Sequence, residues 1–369
     1  MSSNFLKKYP KISTLILCSI VISIFCFLLF KILTFDFLQD FNSQEKYSIY
    51  DKIIYQIRCN QERNIRLREH KKNTQYHRIP HQHYETLEYK KYYLRTDDDG
   101  FIIPSQVNKD PQVKIFFLGG STTECEMVDE EFRFPYLTGK ILQDKLKLKI
   151  NSYNSAKSGN NSLHSIDILL NKLIPMKPDI VVMMHNINDL SALFYEGSYW
   201  NHNKVIAPIS CDKKNRDSYV KQDQWSLDSS WRNRILNDSK EHQRITEDFV
   251  ENLKIFIAIA KAKKIIPVLM TQANRIENDP NFINERGHEA SKLYQKLYII
   301  FNEKIRETAR KENVLLIDLA KKIPSDIKFD KKYIYDVVHL NKEGSIMVAN
   351  EIAKNLENVI KYRYLQNNK

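Results

Sequence analysis

Cysteine is scarce in this sequence, five among 369 residues, too few to build a small disulfide scaffold. Cys18 and Cys26 lie inside a long apolar run, and the other three, Cys59, Cys125 and Cys211, are an odd number from which spacing selects no pair. No Cys/His spacing of the zinc type occurs. The net charge of +12 admits nucleic acid, anionic head groups and acidic polymers as partners. No DNA- or RNA-binding signature accompanies it, so no nucleic acid is expected. Two common catalytic signatures are missing as well. There is no G-x-S-x-G elbow, and "GGSTTE" at 119–124 lacks the lysine of a phosphate-binding loop and the third glycine of a dinucleotide fingerprint.

What the sequence does have begins with "ISTLILCSIVISIFCFLLFKILT" at 12–34, broken only by Lys31. That is long enough to cross a hydrocarbon core as a helix. Lys7, Lys8 and Lys11 precede it, while Asp36, Asp40 and Glu45 follow. The positive-inside rule therefore puts residues 1–11 in the cytoplasm and everything after about residue 35 outside. No small-x-small site closes the run, where Phe25, Cys26, Phe27 and Leu28 stand, so an uncleaved transmembrane signal anchor is expected. Leu17 and Phe25 before the two cysteines argue against lipoprotein processing.

Residues 35–95 are polar and rich in Lys, Arg and His, including His70, His77, His81 and His83. They read as a basic stalk or linker lying against a membrane or polymer surface, with no metal ligands assigned. A catalytic domain is expected over 96–362, with 363–369 as a tail. Within it five continuous apolar runs, 113–120, 148–154, 179–186, 264–272 and 313–319, suit parallel strands buried on both faces. Helical periodicity occupies 129–146, 162–175, 241–262, 285–311 and 342–361. Alternation of this kind predicts an α/β domain, a parallel sheet of about five strands between helical layers. A long Asn-, Ser- and Trp-containing insertion, 190–240, reads as a lid or binding loop. Its Tyr195, Tyr199, Trp200 and Trp225 suit stacking on sugar rings or the core of the lid.

Ligands in such sheets gather beyond the carboxyl ends of the strands, where four polar stretches fall. Ser121 follows the first strand, "NSAKSGNNS" (154–162) the second, "HNIND" (185–189) the third, and "DVVHLNKEG" (336–344) comes after the fifth. A serine hydroxyl needs a base, and the base a carboxylate that fixes its tautomer. Asp336 and His339, three residues apart before a helix capped by Asn341, supply both. Donors for a developing oxyanion are the N–H groups of Ser121 and Gly159 and the side-chain amide of Asn188. His164 and His185 read as packing histidines, Asp189 as loop support, and Cys125 as buried rather than reactive.

In this order Ser121, Gly159, Asn188 and Asp336-x-x-His339 resemble the four blocks of the SGNH (GDSL-type) serine hydrolases, over about residues 94–360. "LRTDDDGF" upstream is similar to the segment before the first block in membrane-anchored bacterial members. The resemblance implies a flavodoxin-like three-layer α/β/α sandwich, catalysis by Ser121, His339 and Asp336, an oxyanion hole of Ser121, Gly159 and Asn188, and neither metal nor cofactor. Gly120 stands where the family has Asp, and Asn186 where it has Gly. The expected protein is an esterase or acyltransferase anchored in the bacterial inner membrane, single-pass, its catalytic domain facing the periplasm or exterior. Its substrate would be O-acyl groups, O-acetyl above all, of a cell-envelope glycan. A membrane acyltransferase that donates acyl groups is the expected partner if the reaction is transfer. The alternatives are a lipid acyl esterase and a non-catalytic glycan-binding module on the same fold.

Overall fold

The computed structural model describes residues 19, 21–23, 64–201, 203, 206–210, 229–276, 287–323 and 332–366. Met1–Glu62 form one compact unit and Arg63–Lys369 another. In the first, Ser19 and 21–23 are helical and exposed. The rest of the expected span 12–34 lies outside the described residues, as do Cys59, Cys211 and Trp225. Among the described residues no helix is long and apolar enough to cross a membrane.

The second unit opens with β1 (Asn64–Ile65), followed by the hairpin β2 (Gln75–Arg78) and β3 (Tyr92–Arg95). The sheet proper contains β4 (Val113–Gly119), β5 (Ile150–Asn154) and β6 (Ile180–Met184). A two-residue β7 (Ile209–Ser210) pairs back on β1, and β8 (Ile266–Met270) and β9 (Leu315–Ile317) complete the sheet. All five sheet strands run parallel in the order β5-β4-β6-β8-β9. This is the doubly wound order in which the chain reverses its direction of growth at the first strand. The reversal opens a crevice at the carboxyl end of β4, where Ser121 follows.

The helices are α1 (Ser121–Glu124), α2 (Phe134–Leu146), α3 (Ser162–Ile168), α4 (Ile187–Glu196) and α5 (Ser229–Asn237). After them come α6 (Ser239–Ala262), α7 (His288–Lys311), α8 (Leu319–Lys322) and α9 (Lys342–Ile360). Alternate residues of β4 point to opposite faces. Phe116 and Leu118 join one cluster with Phe249 and Phe256 of α6 and Leu297 and Phe301 of α7. Ile115 and Phe117 join the other with Leu142 of α2 and Val348, Ile352 and Leu356 of α9. A three-layer α/β/α sandwich results. Burying each large apolar side chain contributes ~1.5–3 kcal/mol, and the parallel rings of Phe249 and Phe301, 4.4 Å apart, bind α6 to α7.

Two expectations change. The two ends of 64–95 are not a solvated stalk, although most of 71–91 is exposed: Tyr92 and Leu94 of β3 turn inward, and Arg68 and His70 are both buried. The density of Lys and Arg masked that alternation. Within the described parts of 190–240, Leu193, Phe194, Tyr195, Tyr199, Trp231 and Ile235 are core rather than lid, all entering one hydrophobic cluster, while Trp200 is exposed. The Trp231 indole N–H donates to the Phe194 carbonyl at 2.9 Å.

Candidate active site

Ser121 begins the short turn α1 directly beyond β4. Gly120 is required there by close approach, because a Cβ at that position would lie 2.1 Å from the Asn188 side-chain nitrogen. The missing side chain leaves room for the Asn188 amide at this corner. Thr122 anchors the turn from below. Its hydroxyl accepts from Gln272 Nε2 at 2.7 Å and donates to the Val338 carbonyl at 3.4 Å. Gln272, just past β8, also accepts the Ile187 N–H at 3.0 Å, so one amide side chain ties together three strand ends.

The loop before α9 brings the base. Asp336 Oδ1 accepts the backbone N–H groups of Val338 (3.0 Å) and His339 (2.8 Å), which curls the loop around the carboxylate. Its second oxygen lies 2.6 Å from His339 Nδ1, and His339 Nε2 lies 2.6 Å from Ser121 Oγ. With Nδ1–H donating to the carboxylate, Nε2 is left to accept the hydroxyl proton. Asn341 caps α9 by accepting the Gly344 N–H at 2.9 Å. Ser121, more than two hundred residues from His339 and Asp336, thus stands in one hydrogen-bonded series with them.

The electrostatics suit that order. Burial pushes the Asp336 carboxyl up, but the His339 charge and its hydrogen bond, with two backbone N–H groups, outweigh burial and hold it below the usual 3.8. Burial opposes the imidazolium of His339, yet the Asp336 carboxylate, helped by Glu124 and Glu126, raises His339 above the usual 6.5. Glu124, at the end of α1, is itself buried against His70 Nε2 at 2.9 Å and Tyr76 OH at 3.3 Å. The Tyr335 ring stacks on His339 with centroids 5.6 Å apart, and Tyr84 meets Tyr335 edge-on at 5.0 Å. Cys125 is buried, and burial pushes its thiol up to about 12.

Of the two remaining candidates, Gly159 sits on the loop before α3 and Asn188 in the first turn of α4. Gly159 has φ +78, the left-handed region that favours glycine. Asn188 Nδ2 donates to the Asn160 carbonyl at 2.8 Å, which uses one of the two donors of a primary amide. Behind them Asp189 is fully buried. It accepts the Ser162 N–H at 3.0 Å, the Ser162 hydroxyl, and Tyr199 OH at 2.6 Å. Asn252 Nδ2 reaches Ser162 Oγ at 2.9 Å. This network locks the first turn of α4 to the start of α3. His185 accompanies it, 2.6 Å from Ser165 Oγ and 3.7 Å from Asp189 Oδ2. His164 packs at the α3 N-terminus and receives the Asn161 N–H on Nδ1.

Sequence reasoning missed Gln272, Glu124, Tyr335, Tyr84 and Arg68. Tyr335 adjoins Asp336 and Glu124 ends "STTE", so proximity to the motifs was their only signal. Among the described residues no cluster of His, Cys, Asp or Glu is arranged to hold a metal ion.

A hydroxyl, an imidazole and a carboxylate in series, at the crevice of a parallel α/β sheet, are the parts of a serine hydrolase. Residues 117–345, more than half of the chain, match the model of the GDSL-like Lipase/Acylhydrolase family, to which this chain belongs. It is a hydrolase of ester bonds. Solved structures similar to it include an acetyl xylan esterase with 18% identity and a TM-score of 0.43, over 66% of this chain and 98% of that one. The lipase/acylhydrolase from Enterococcus faecalis is similar at 16% identity and TM-score 0.43, over 67% and 97% of the two chains. An acetylxylan esterase from Geobacillus stearothermophilus has 16% identity and TM-score 0.41, over 67% and 94%. At these identities and scores nothing about substrate carries over. No curated protein sequence matches the chain.

Proposed function

We propose that this ester hydrolase works through Ser121, His339 and Asp336 as a membrane-anchored esterase or acyltransferase, and that it acts outside the cytoplasm on O-acyl groups, chiefly O-acetyl, of a cell-envelope glycan. The observation that carries the mechanism is the His339 imidazole, 2.6 Å from Ser121 Oγ on one side and 2.6 Å from Asp336 on the other. Ser121 Oγ attacks the ester carbonyl carbon while His339 Nε2 takes its proton, and Asp336 stabilises the imidazolium. The carbonyl oxygen becomes an oxyanion, received by the Ser121 and Gly159 N–H groups and the Asn188 amide. Collapse breaks the ester C–O bond, and His339 returns the proton to the departing sugar oxygen. Water, or a second sugar hydroxyl in the transfer reaction, then attacks the acyl-serine with the same base.

The glycan assignment rests on the apolar run 12–34 with lysines ahead of it, and on the Tyr335 ring stacked on His339 with Tyr84 edge-on to Tyr335, since such rings suit the apolar faces of a sugar. Full-length protein in detergent, given O-acetylated polysaccharide and p-nitrophenyl esters of increasing chain length, tests it. Acetate should be released from the polysaccharide, and ester turnover should fall with chain length. Preference for long acyl chains with no acetate release would replace the glycan reading with a lipid one. A reporter fused at Lys369 should be active only outside the cytoplasm; activity inside would reverse the orientation.

A further inference from the structure

Arg68 lies in "IRLREH", 65–70, far in sequence from every family block, and yet it is buried beside one of them. Its guanidinium donates from Nη2 to the Ser158 carbonyl and from Nη1 to the Gly159 carbonyl, both at 3.0 Å. The loop answers in kind. Asn160 Nδ2 donates to the Arg68 carbonyl at 2.9 Å, and Lys157 Nζ to the Glu69 carbonyl at 2.6 Å. The Asn160 carbonyl in turn receives Asn188 Nδ2 at 2.8 Å. Residues 68–69 are therefore stitched to 157–160, and through Asn160 to the amide in the first turn of α4.

In a trans peptide the C=O and N–H point in opposite directions. With the Ser158 carbonyl drawn onto Arg68, the Gly159 N–H of the same peptide is turned away from it. The next peptide obeys the same rule: the Gly159 carbonyl faces Arg68, and the Asn160 N–H turns back to the Lys157 carbonyl at 3.0 Å. A rigid, planar fork suits two successive carbonyls, which a single ammonium does not match. Such a fork is needed most at Gly159, because a glycine at φ +78 has more conformational freedom than any other residue. A Cβ at Gly159 would lie 3.2 Å from Arg68 Nη2, so the guanidinium lies close against this residue.

We propose that Arg68 is a positioning residue for the oxyanion site: it fixes the Ser158–Gly159 peptide so that the Gly159 N–H is held toward the developing oxyanion. The proposal rests on the reading of Gly159 as an oxyanion donor. It makes the segment just before the sheet domain part of the catalytic apparatus. Arg68 touches no reacting atom and acts through the backbone of another residue.

The test is steady-state hydrolysis of p-nitrophenyl acetate by the full-length Arg68→Ala and Arg68→Lys variants, with circular dichroism confirming that each is folded at the assay temperature. Arg68→Ala should lower kcat by ~10–100-fold, the scale of loss from a small misplacement in a catalytic site, with KM changed by no more than about two-fold. Arg68→Lys should fall between, and millimolar guanidinium ion should restore part of the kcat of Arg68→Ala without affecting wild type. A folded Arg68→Ala with wild-type kcat, a rise in KM alone, or a loss that neither Lys nor guanidinium recovers would overturn the assignment. If Arg68→Ala does not fold, Arg68→Lys carries the test: reduced kcat at constant KM supports it and unchanged kcat overturns it. Ser121→Ala is run alongside. Full turnover in that variant would instead overturn the reading of the whole site, and the role of Arg68 with it.

Discussion

Two Ser–His–Asp groups lie within this domain, and they differ in ways that decide what each does. In Ser121–His339–Asp336 both contacts measure 2.6 Å and all three residues are partly open at the rim. In Ser165–His185–Asp189 the serine contact is also 2.6 Å, but the carboxylate stands 3.7 Å from the imidazole and every member is buried. Asp189 is occupied by Ser162 and Tyr199, whereas Asp336 is devoted to His339 and the loop that carries it. Burial lowers His185, with Asp189 opposing it only in part, while the Asp336 carboxylate raises His339. The same three residue types thus form an open series where a dedicated carboxylate outweighs desolvation, and a buried network where it does not.

The largest effect that would sharpen this contrast is loss of the hydroxyl. Ser121→Ala should reduce kcat by ~10⁶-fold, as nucleophile removal does in other serine hydrolases, while Ser165→Ala should leave kcat within a few-fold and instead lower thermal stability. Steady-state assays paired with thermal melts read both. A Ser165→Ala protein that is folded but inactive would break the comparison.

Next comes the carboxylate. Asp336→Asn should cost ~10⁴-fold in kcat by disturbing the tautomer of His339. In wild type kcat/KM should rise with pH through a limb above 6.5, because the base must be neutral and its pKa is raised. That limb should move to lower pH in Asp336→Asn, since the charge that raises it is gone. Asp189→Asn should act mainly on stability, costing ~1–3 kcal/mol as a buried acceptor is lost. An unmoved acid limb in Asp336→Asn would remove His339 from the role of base.

Smaller still is the amide donor. Asn188→Ala should lower kcat by ~10²–10³-fold without unfolding the protein. Gly120→Ala should approach the same loss, because its Cβ would meet the Asn188 amide at 2.1 Å. The double variant should then be scarcely worse than either single change. Multiplicative losses would show that Gly120 serves some purpose other than admitting Asn188.

The smallest effect concerns stability against pH, where the two histidines have opposite signs. His339, raised in the fold, contributes stability that is present below the unfolded value of 6.5 and lost as pH climbs through its folded pKa. His185, lowered in the fold, favours the native state above 6.5 and loses that contribution as pH falls below it. Urea midpoints followed from pH 5 to 8 should therefore fall less steeply on the acid side in His185→Asn than in wild type. An identical acid slope would assign the loss to other groups, His164 first among them.

Much of the reactive group was legible in the sequence because its signals are local. Apolar runs mark the strands, and each functional residue follows directly on a run or in a short Asp-x-x-His spacing before a helix cap. The order of the strands was not legible, since continuous apolar runs carry no information about which neighbour each one pairs with. Arg68 was hidden for a related reason. Its partners lie about ninety residues away, and within a run of Lys, Arg and His it looks like any solvated charge. Tyr195 and Tyr199 read equally well as sugar platforms or core until packing placed both in the interior. His185 and Asp189 read as packing and loop support, and the network that binds them to Ser162 and Tyr199 could only be seen in three dimensions.

The most direct test of the central distinction is covalent. Full-length protein treated with a fluorophosphonate and mapped by peptide mass spectrometry should carry one label, on Ser121, and His339→Ala should suppress it because the hydroxyl loses its base. A label on Ser165, Ser158 or Ser162, or an efficiently hydrolysing preparation that carries no label at all, would contradict the account.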